Sequence, residues 1–244
     1  MNTNLVSPGL SLLQPVKAQY GPGLSWADLI VLAGTTALEV AANINIPFCS
    51  VGRTDLETPD DGWKHLEPRV TGKENETVEL VRDYMAVMGL TPVQFSALLG
   101  AGYALGQSDH CDGLFCRRNV FAQSQSGSQP PPSSLLSNVF FNDLLDHNWE
   151  PHTTPSRQMF KVREGENIKN FVSLASLYSC SQAVGADLLM YEVDLHFKTD
   201  PELLAITHQF AADNQFFLKE VGRAWTKIVN ADMFDGPAGN LCQS

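Results

Sequence analysis

Leu24-Ser25-Trp26-Ala27-Asp28-Leu29-Ile30-Val31-Leu32-Ala33-Gly34 is the stretch from which the fold of this chain is read. Ser25 is the expected N-cap of a helix, and Asp28 stands three residues on, close to a capping box. Leu29, Leu32, Ala33, Thr36, Ala37 and Val40 recur at helical spacing, so this face is expected to be buried. Upstream, residues 1–23 hold Pro8-Gly9, Pro15 and Gly21-Pro22-Gly23 and read as an extended lead-in. Downstream, residues 46–72 lose the helical period and carry Pro47, Gly52, Pro59, Gly62 and Pro68, an irregular, turn-rich segment.

Further along, a helix is expected at 74–87. Another begins at Thr91-Pro92, with Thr91 as N-cap and proline at the favoured first position. Residues 106–134 are polar, end in Gln129-Pro130-Pro131-Pro132-Ser133-Ser134, and read as a loop. Helices follow at 136–147, 168–184, 200–211 and 213–230, and only 186–196 reads as partly extended. The last helix carries Phe216, Phe217, Val221, Trp225 and Ile228 on one side, and Trp26 and Trp225 are expected to be buried anchors. The reading is mainly α, with one domain over 24–236 and a tail at 237–244.

The chain has 244 residues, 43% of them apolar, enough to build a core without staples. Sixteen Lys and Arg against 27 Asp and Glu give a net charge of −11, with no basic run. That balance argues against nucleic acid and anionic membranes as partners. No stretch reaches the ~20 apolar residues of a membrane span, and the first residues lack a signal peptide's basic and apolar regions. Either the protein is not secreted or this is a mature or truncated chain; the second reading is preferred, and for a processed fragment an extracellular or secretory compartment is slightly favoured.

The five cysteines are Cys49, Cys111, Cys116, Cys180 and Cys242. Cys111 and Cys116 flank a small polar loop, where a disulfide, free thiols and a zinc site all stand as readings. Asn75-Glu76-Thr77 is a glycosylation sequon.

Four blocks together resemble the plant-type haem peroxidases. They are the Ser25–Gly34 helix, the turn Ile46-Pro47-Phe48 to Gly52-Arg53-Thr54-Asp55, the stretch Leu90-Thr91-Pro92 to Gly102-Tyr103-Ala104-Leu105-Gly106, and Ser137-Asn138-Val139-Phe140-Phe141-Asn142. Leu66-Glu67-Pro68-Arg69, Val193-Asp194-Leu195-His196-Phe197 and the tail Ala224-Trp225 to Phe234-Asp235 are most similar to the haem-free carboxy-terminal half of catalase-peroxidases. The resemblance implies a haem-peroxidase-like helical fold, here without its N-terminal distal helices.

Peroxidase chemistry places a His on the haem iron and a His–Arg pair on the opposite face, because the proton shuttle must titrate near neutrality. In the family's proximal motif the His falls where this chain has Tyr103. Tyrosinate can ligate haem, but a nearby cation is then needed, and no Arg or Lys lies within ten residues of Tyr103. The reading of Tyr103 is an aromatic filling the space of an absent haem. His110 reads as a surface loop residue, with a replacement ligand as its alternative. Asp194 falls where the family keeps its proximal Asp; it reads as capping the helix at Asp200-Pro201 or as bonding locally, Tyr103 included. Arg53 and Asp55 read as bracing their turn.

The expectation is therefore a degenerate, haem-free peroxidase-fold domain with no catalytic residues and no metal, in a structural or protein-interaction role. Its partner would be a second copy or the upstream fragment of a shared precursor. One alternative is a peroxidase, a hydrogen-peroxide-dependent oxidoreductase, completed by a partner chain with Tyr103 or His110 on the haem. Another is an old haem cavity that takes a different small molecule.

Overall fold

The computed structural model describes residues 3–49, 52–56, 58, 74–105, 136–153, 158–163, 189–190, 192–231, 233 and 240–242. The described residues are mainly helical. Helices α1 (Thr3–Tyr20), α2 (Trp26–Ala42), α3 (Glu74–Val87), α4 (Pro92–Leu105) and α5 (Val139–Asp146) precede a small sheet. Helices α6 (Glu192–Thr199), α7 (Pro201–Ala212) and α8 (Asn214–Val229) follow it. The sheet is antiparallel, β1 (Trp149–Thr153), β2 (Gln158–Val162) and β3 (Leu189–Met190) in that order, with Pro151 opposite Phe160 and Phe160 opposite Met190. Pro151 lies on the edge strand, where a missing N–H costs least. The chain divides into two compact units, Met1–Glu67 with Gly222–Ser244, and Pro68–Val221.

In the first unit, the lead-in expected to be extended is helix α1 instead. Its leucines, glutamine, lysine and alanine favour helix strongly enough to carry Gly9 and the two prolines Pro8 and Pro15, each of which removes a backbone hydrogen bond. The break falls later, at Gly21-Pro22-Gly23, a 3-10 turn that starts from Gly21 in the left-handed region at φ 55°. The Lys17 ammonium closes the end of α1 by donating to the carbonyls of Gly21 and Leu24, and it lies 5.9 Å from the Trp26 ring centre.

Helix α2 begins as expected, the Asp28 amide donating to Ser25 Oγ at 3.0 Å. Its inward face differs from the expected one. Asp28, Leu29, Thr35, Ala41 and Ala42 are buried, whereas Ile30, Leu32 and Val40 are exposed. The register is set from within this unit. The Trp225 indole N–H donates to Thr35 Oγ1 at 2.9 Å, and the Trp225 ring lies 3.1 Å from the position of a Cβ on Gly34. Trp26 and Trp225, expected to be buried, are both only half-buried.

In the second unit the core is aromatic. Phe140, Phe141, Phe197, Phe210 and Phe217 are fully buried with Leu136, Leu144, Met190, Leu203 and Leu218. Helix α4 opens with a full capping box: the Gln94 amide donates to Thr91 Oγ1, and the Thr91 amide donates to Gln94 Oε1. Asn138 starts α5 and ties it to the α7–α8 corner, its side chain donating to the carbonyls of Phe210 and Ala211 while its amide donates to Asn214 Oδ1. At the other end of α5, the Lys198 ammonium donates to the Leu144 and His147 carbonyls, a cation at a helix C-terminus. Of the segment 186–196, expected to be partly extended, the described residues form the two-residue strand β3 and the start of α6, whose first turn carries Glu192 and Asp194, favourable at the positive end of a helix. The helix expected at 168–184 lies outside the described residues.

Candidate functional site

The second unit places Tyr103 near the end of α4. Phe95, Leu99 and Tyr103 follow one another at helical spacing, with Ser96 and Gly100 beside them. Aromatic rings occupy this side of the helix. The Tyr103 and Phe140 ring centres are 4.6 Å apart with planes tilted by 59°, and Phe95 stacks on Phe197 at 6.4 Å. Phe140 in turn meets Phe197 and Phe141 edge-on, at 6.4 and 4.9 Å. These are the offset and edge-to-face arrangements that ring quadrupoles favour.

Gly100 explains how close the rings come. A Cβ at this position would stand 2.6 Å from Phe141 Cε2 and 2.7 Å from Cζ, so only glycine lets the ring rest on the helix backbone. Gly102, two residues on, has nothing within 4 Å of its Cβ position and is exposed. The two glycines of this stretch therefore differ in purpose.

Asp194 is buried in the first turn of α6, on the helix face that also bears Phe197. It does not cap α7. Asp200 does so itself, accepting from the Glu202 and Leu203 amides at 2.9 and 3.1 Å. Burial works to raise the Asp200 pKa. Hydrogen bonds from Arg82 and from those amides, with the charge of Arg82, outweigh it and hold the carboxyl below its usual 3.8. Arg82 reaches Asp200 at 2.7 Å and Glu202 at 3.0 Å, and its own pKa is raised by these acceptors. The sequence did not single out His196, which is buried on α6 with its Nε2 lacking a hydrogen-bond partner. Valine, leucine and phenylalanine around it carry no signal that the imidazole would be orphaned. His110, the Cys111–Cys116 loop and Cys180 lie outside the described residues. Among those described, no group of three or more His, Cys, Asp and Glu side chains could hold a metal ion.

The first unit holds the second cluster, built on the turn that precedes Asp55. The Arg53 side chain is 8% exposed, and both of its terminal nitrogens are bonded. Its Nη1 meets Asp28 Oδ1 at 2.9 Å, and Nη2 donates to the Val229 carbonyl at 2.6 Å and to Asn230 Oδ1 at 2.8 Å. The Arg53 amide adds a bond to Asp28 Oδ2, so both carboxylate oxygens are satisfied. Asp28 thus serves Arg53 and not the capping box expected of it. Asp55 accepts from the free amides of Trp26 and Ala27 at the start of α2. Those two bonds, with the charge of Lys17, hold its pKa below 3.8 against a small opposing effect of burial. The bracing role read for Arg53 and Asp55 is what the geometry shows.

Cys49, four residues before Arg53, forms a disulfide with Cys242, and the Asn240 side chain donates to the Asn230 carbonyl at 2.6 Å. This disulfide was not foreseen, because a pairing across 193 residues leaves no local spacing to read. Chemically, the cluster is a satisfied ion pair that joins three chain segments.

The family model described as peroxidase matches residues 1–213. The chain is 30% identical over 253 residues to a catalase-peroxidase of Aliarcobacter butzleri (strain RM4018), covering 93% of this chain and 30% of that protein. It is 32% identical over 235 residues to a catalase-peroxidase of Phaeosphaeria nodorum (strain SN15 / ATCC MYA-4574 / FGSC 10173), covering 89% and 27%. A catalase-peroxidase of Pyrenophora tritici-repentis (strain Pt-1C-BFP) is 32% identical over 246 residues, covering 93% and 28%. The chain spans under a third of the length of these relatives.

Proposed function

The chain belongs to the peroxidase family, and we propose that it is a haem-free, degenerate member with a structural or protein-interaction role. One observation carries this reading: Phe140 and Phe141 fill the side of α4 that bears Tyr103, Phe141 resting on the backbone at Gly100. A haem needs an open slot beside its axial ligand, and buried rings already pack that side. The residues present do not fit the group. Tyr103 also lacks a neighbouring cation in sequence that would favour tyrosinate at neutral pH. Purified protein is expected to show no Soret band and no peroxide-dependent dye oxidation. A Soret band at one haem per chain, lost in Tyr103→Phe or His110→Ala, would instead support a peroxidase completed by a partner.

The interaction role rests on the first unit. On α1, Leu12, Val16 and Tyr20 fall one helical turn apart and all are exposed, Leu12 at 80%. On α2, Ile30 and Val40 stand at 49% and 65% exposure. Apolar side chains repeated along a helix face are what a protein partner covers. A second copy or a further segment of a longer precursor is the partner proposed. Light scattering tests it: an assembly larger than 26.7 kDa, or a co-purifying chain, is expected, and a monodisperse monomer would refute it. The Cys49–Cys242 disulfide supports maturation in an oxidising compartment.

A further inference from the structure

The Arg53 cluster contains one bond whose state depends on its surroundings. Cys49 and Cys242 are both partly accessible, with Cα atoms 5.6 Å apart. Around Cys242 the described residues make contacts that converge on the end of α8. The Leu241 amide donates to the Met233 carbonyl at 2.8 Å, the Cys242 amide to Asn240 Oδ1 at 2.9 Å, and the Asn240 side chain to the Asn230 carbonyl. Asn230 is the residue whose side-chain oxygen receives Arg53. One short segment, fixed at one end by a disulfide, therefore holds from outside the residue that a buried guanidinium holds from within. Leu241 itself is 43% exposed, so apolar burial contributes little to keeping the segment in place.

We propose that Cys49 and Cys242 form a redox-responsive latch. In the oxidised chain, residues Asn240–Cys242 are clasped onto the end of α8 and keep the Arg53–Asn230–Asp28 network closed. Reduction by a dithiol breaks the S–S bond by exchange. Two electrons and two protons pass to the cysteines, giving two thiols, and the dithiol becomes a cyclic disulfide. Without the covalent tie, the bonds from Leu241 to Met233 and from Asn240 to Asn230 must hold the segment against its conformational entropy. The segment then leaves, and water reaches the Asn230 carbonyl and the Arg53 network. The inference is independent of whether the chain binds haem, since every residue in it belongs to the first unit.

The test uses the full-length chain. Alkylation of native protein followed by non-reducing digestion is expected to recover Cys49 and Cys242 as one cross-linked peptide pair. Amide exchange is then compared in oxidised and dithiothreitol-treated protein. The Leu241 and Arg53 amides, bonded to Met233 O and Asp28 Oδ2 respectively, are expected to exchange at least tenfold faster after reduction. The Leu90 and Leu204 amides of the second unit serve as controls and are expected to be unchanged. Cys242→Ser is expected to match reduced wild type and to ignore the reductant. Three results would each overturn the latch: both cysteines alkylated in the native protein, exchange at Leu241 and Arg53 unmoved by reduction, or Cys242→Ser still responding to dithiothreitol.

Discussion

Tyr103 and Arg53 both sit in stretches that resemble motifs of one family, yet the two regions use opposite physics. Around Arg53 the interior is polar and complete: a guanidinium, a carboxylate, an amide and a main-chain carbonyl satisfy one another. Around Tyr103 the interior is aromatic, and rings lie against a helix whose glycine admits them. A charge network that joins three segments keeps its value whether or not chemistry takes place elsewhere. A ligand position keeps its purpose only while a cofactor occupies the space beside it. The first kind of residue is therefore read correctly from a motif, and the second only from what now packs against it.

The largest effect should come from breaking the polar side of this contrast. Arg53→Ala leaves the Asp28 carboxylate and Asn230 buried without their cation, which costs about 3–5 kcal/mol when one partner of a buried pair is removed. Urea unfolding of the first unit measures it. A loss under about 1 kcal/mol would place the pair among ordinary surface bridges and weaken the contrast.

The aromatic side is tested with two neighbouring glycines. Gly100→Ala gains about 1 kcal/mol of helix propensity but drives a methyl into Phe141, a clash worth about 1–3 kcal/mol, so net destabilisation is expected. Phe141→Leu in the same chain should relieve the clash and make the pair of changes less costly than their sum. Gly102→Ala meets open space and should stabilise by about 0.5–1 kcal/mol. If both glycines responded alike, Phe141 would not rest on α4 as described.

Local chemistry was the legible part of this molecule. Ser25 and Thr91 cap their helices as their spacing indicates, and the motif blocks set the helical fold. Contacts made at a distance were not legible. Asp28 reads as half of a capping box, and only the arrival of Arg53, 25 residues later, diverts it. The buried face of α2 was misread because apolar periodicity marks two sides of that helix, and Trp225, 190 residues on, selects one. The small sheet was missed because Pro151 interrupts the alternation that would have announced β1. The lead-in reads as extended because Pro and Gly punctuate it, whereas its leucines carry it as α1. For Tyr103 the residue itself is visible in the sequence, but the ring that packs against it, Phe140, comes from α5, far along the chain.

The central claim is that packing, and not the ligand alone, excludes haem. Titrating haemin into wild type and Tyr103→His while recording the Soret region tests it most directly. The account predicts no stoichiometric Soret band from either protein, because restoring the imidazole leaves Phe140 and Phe141 where they are. A sharp band saturating at one haem per chain in Tyr103→His would show that the slot is open and that only the ligand had been lost.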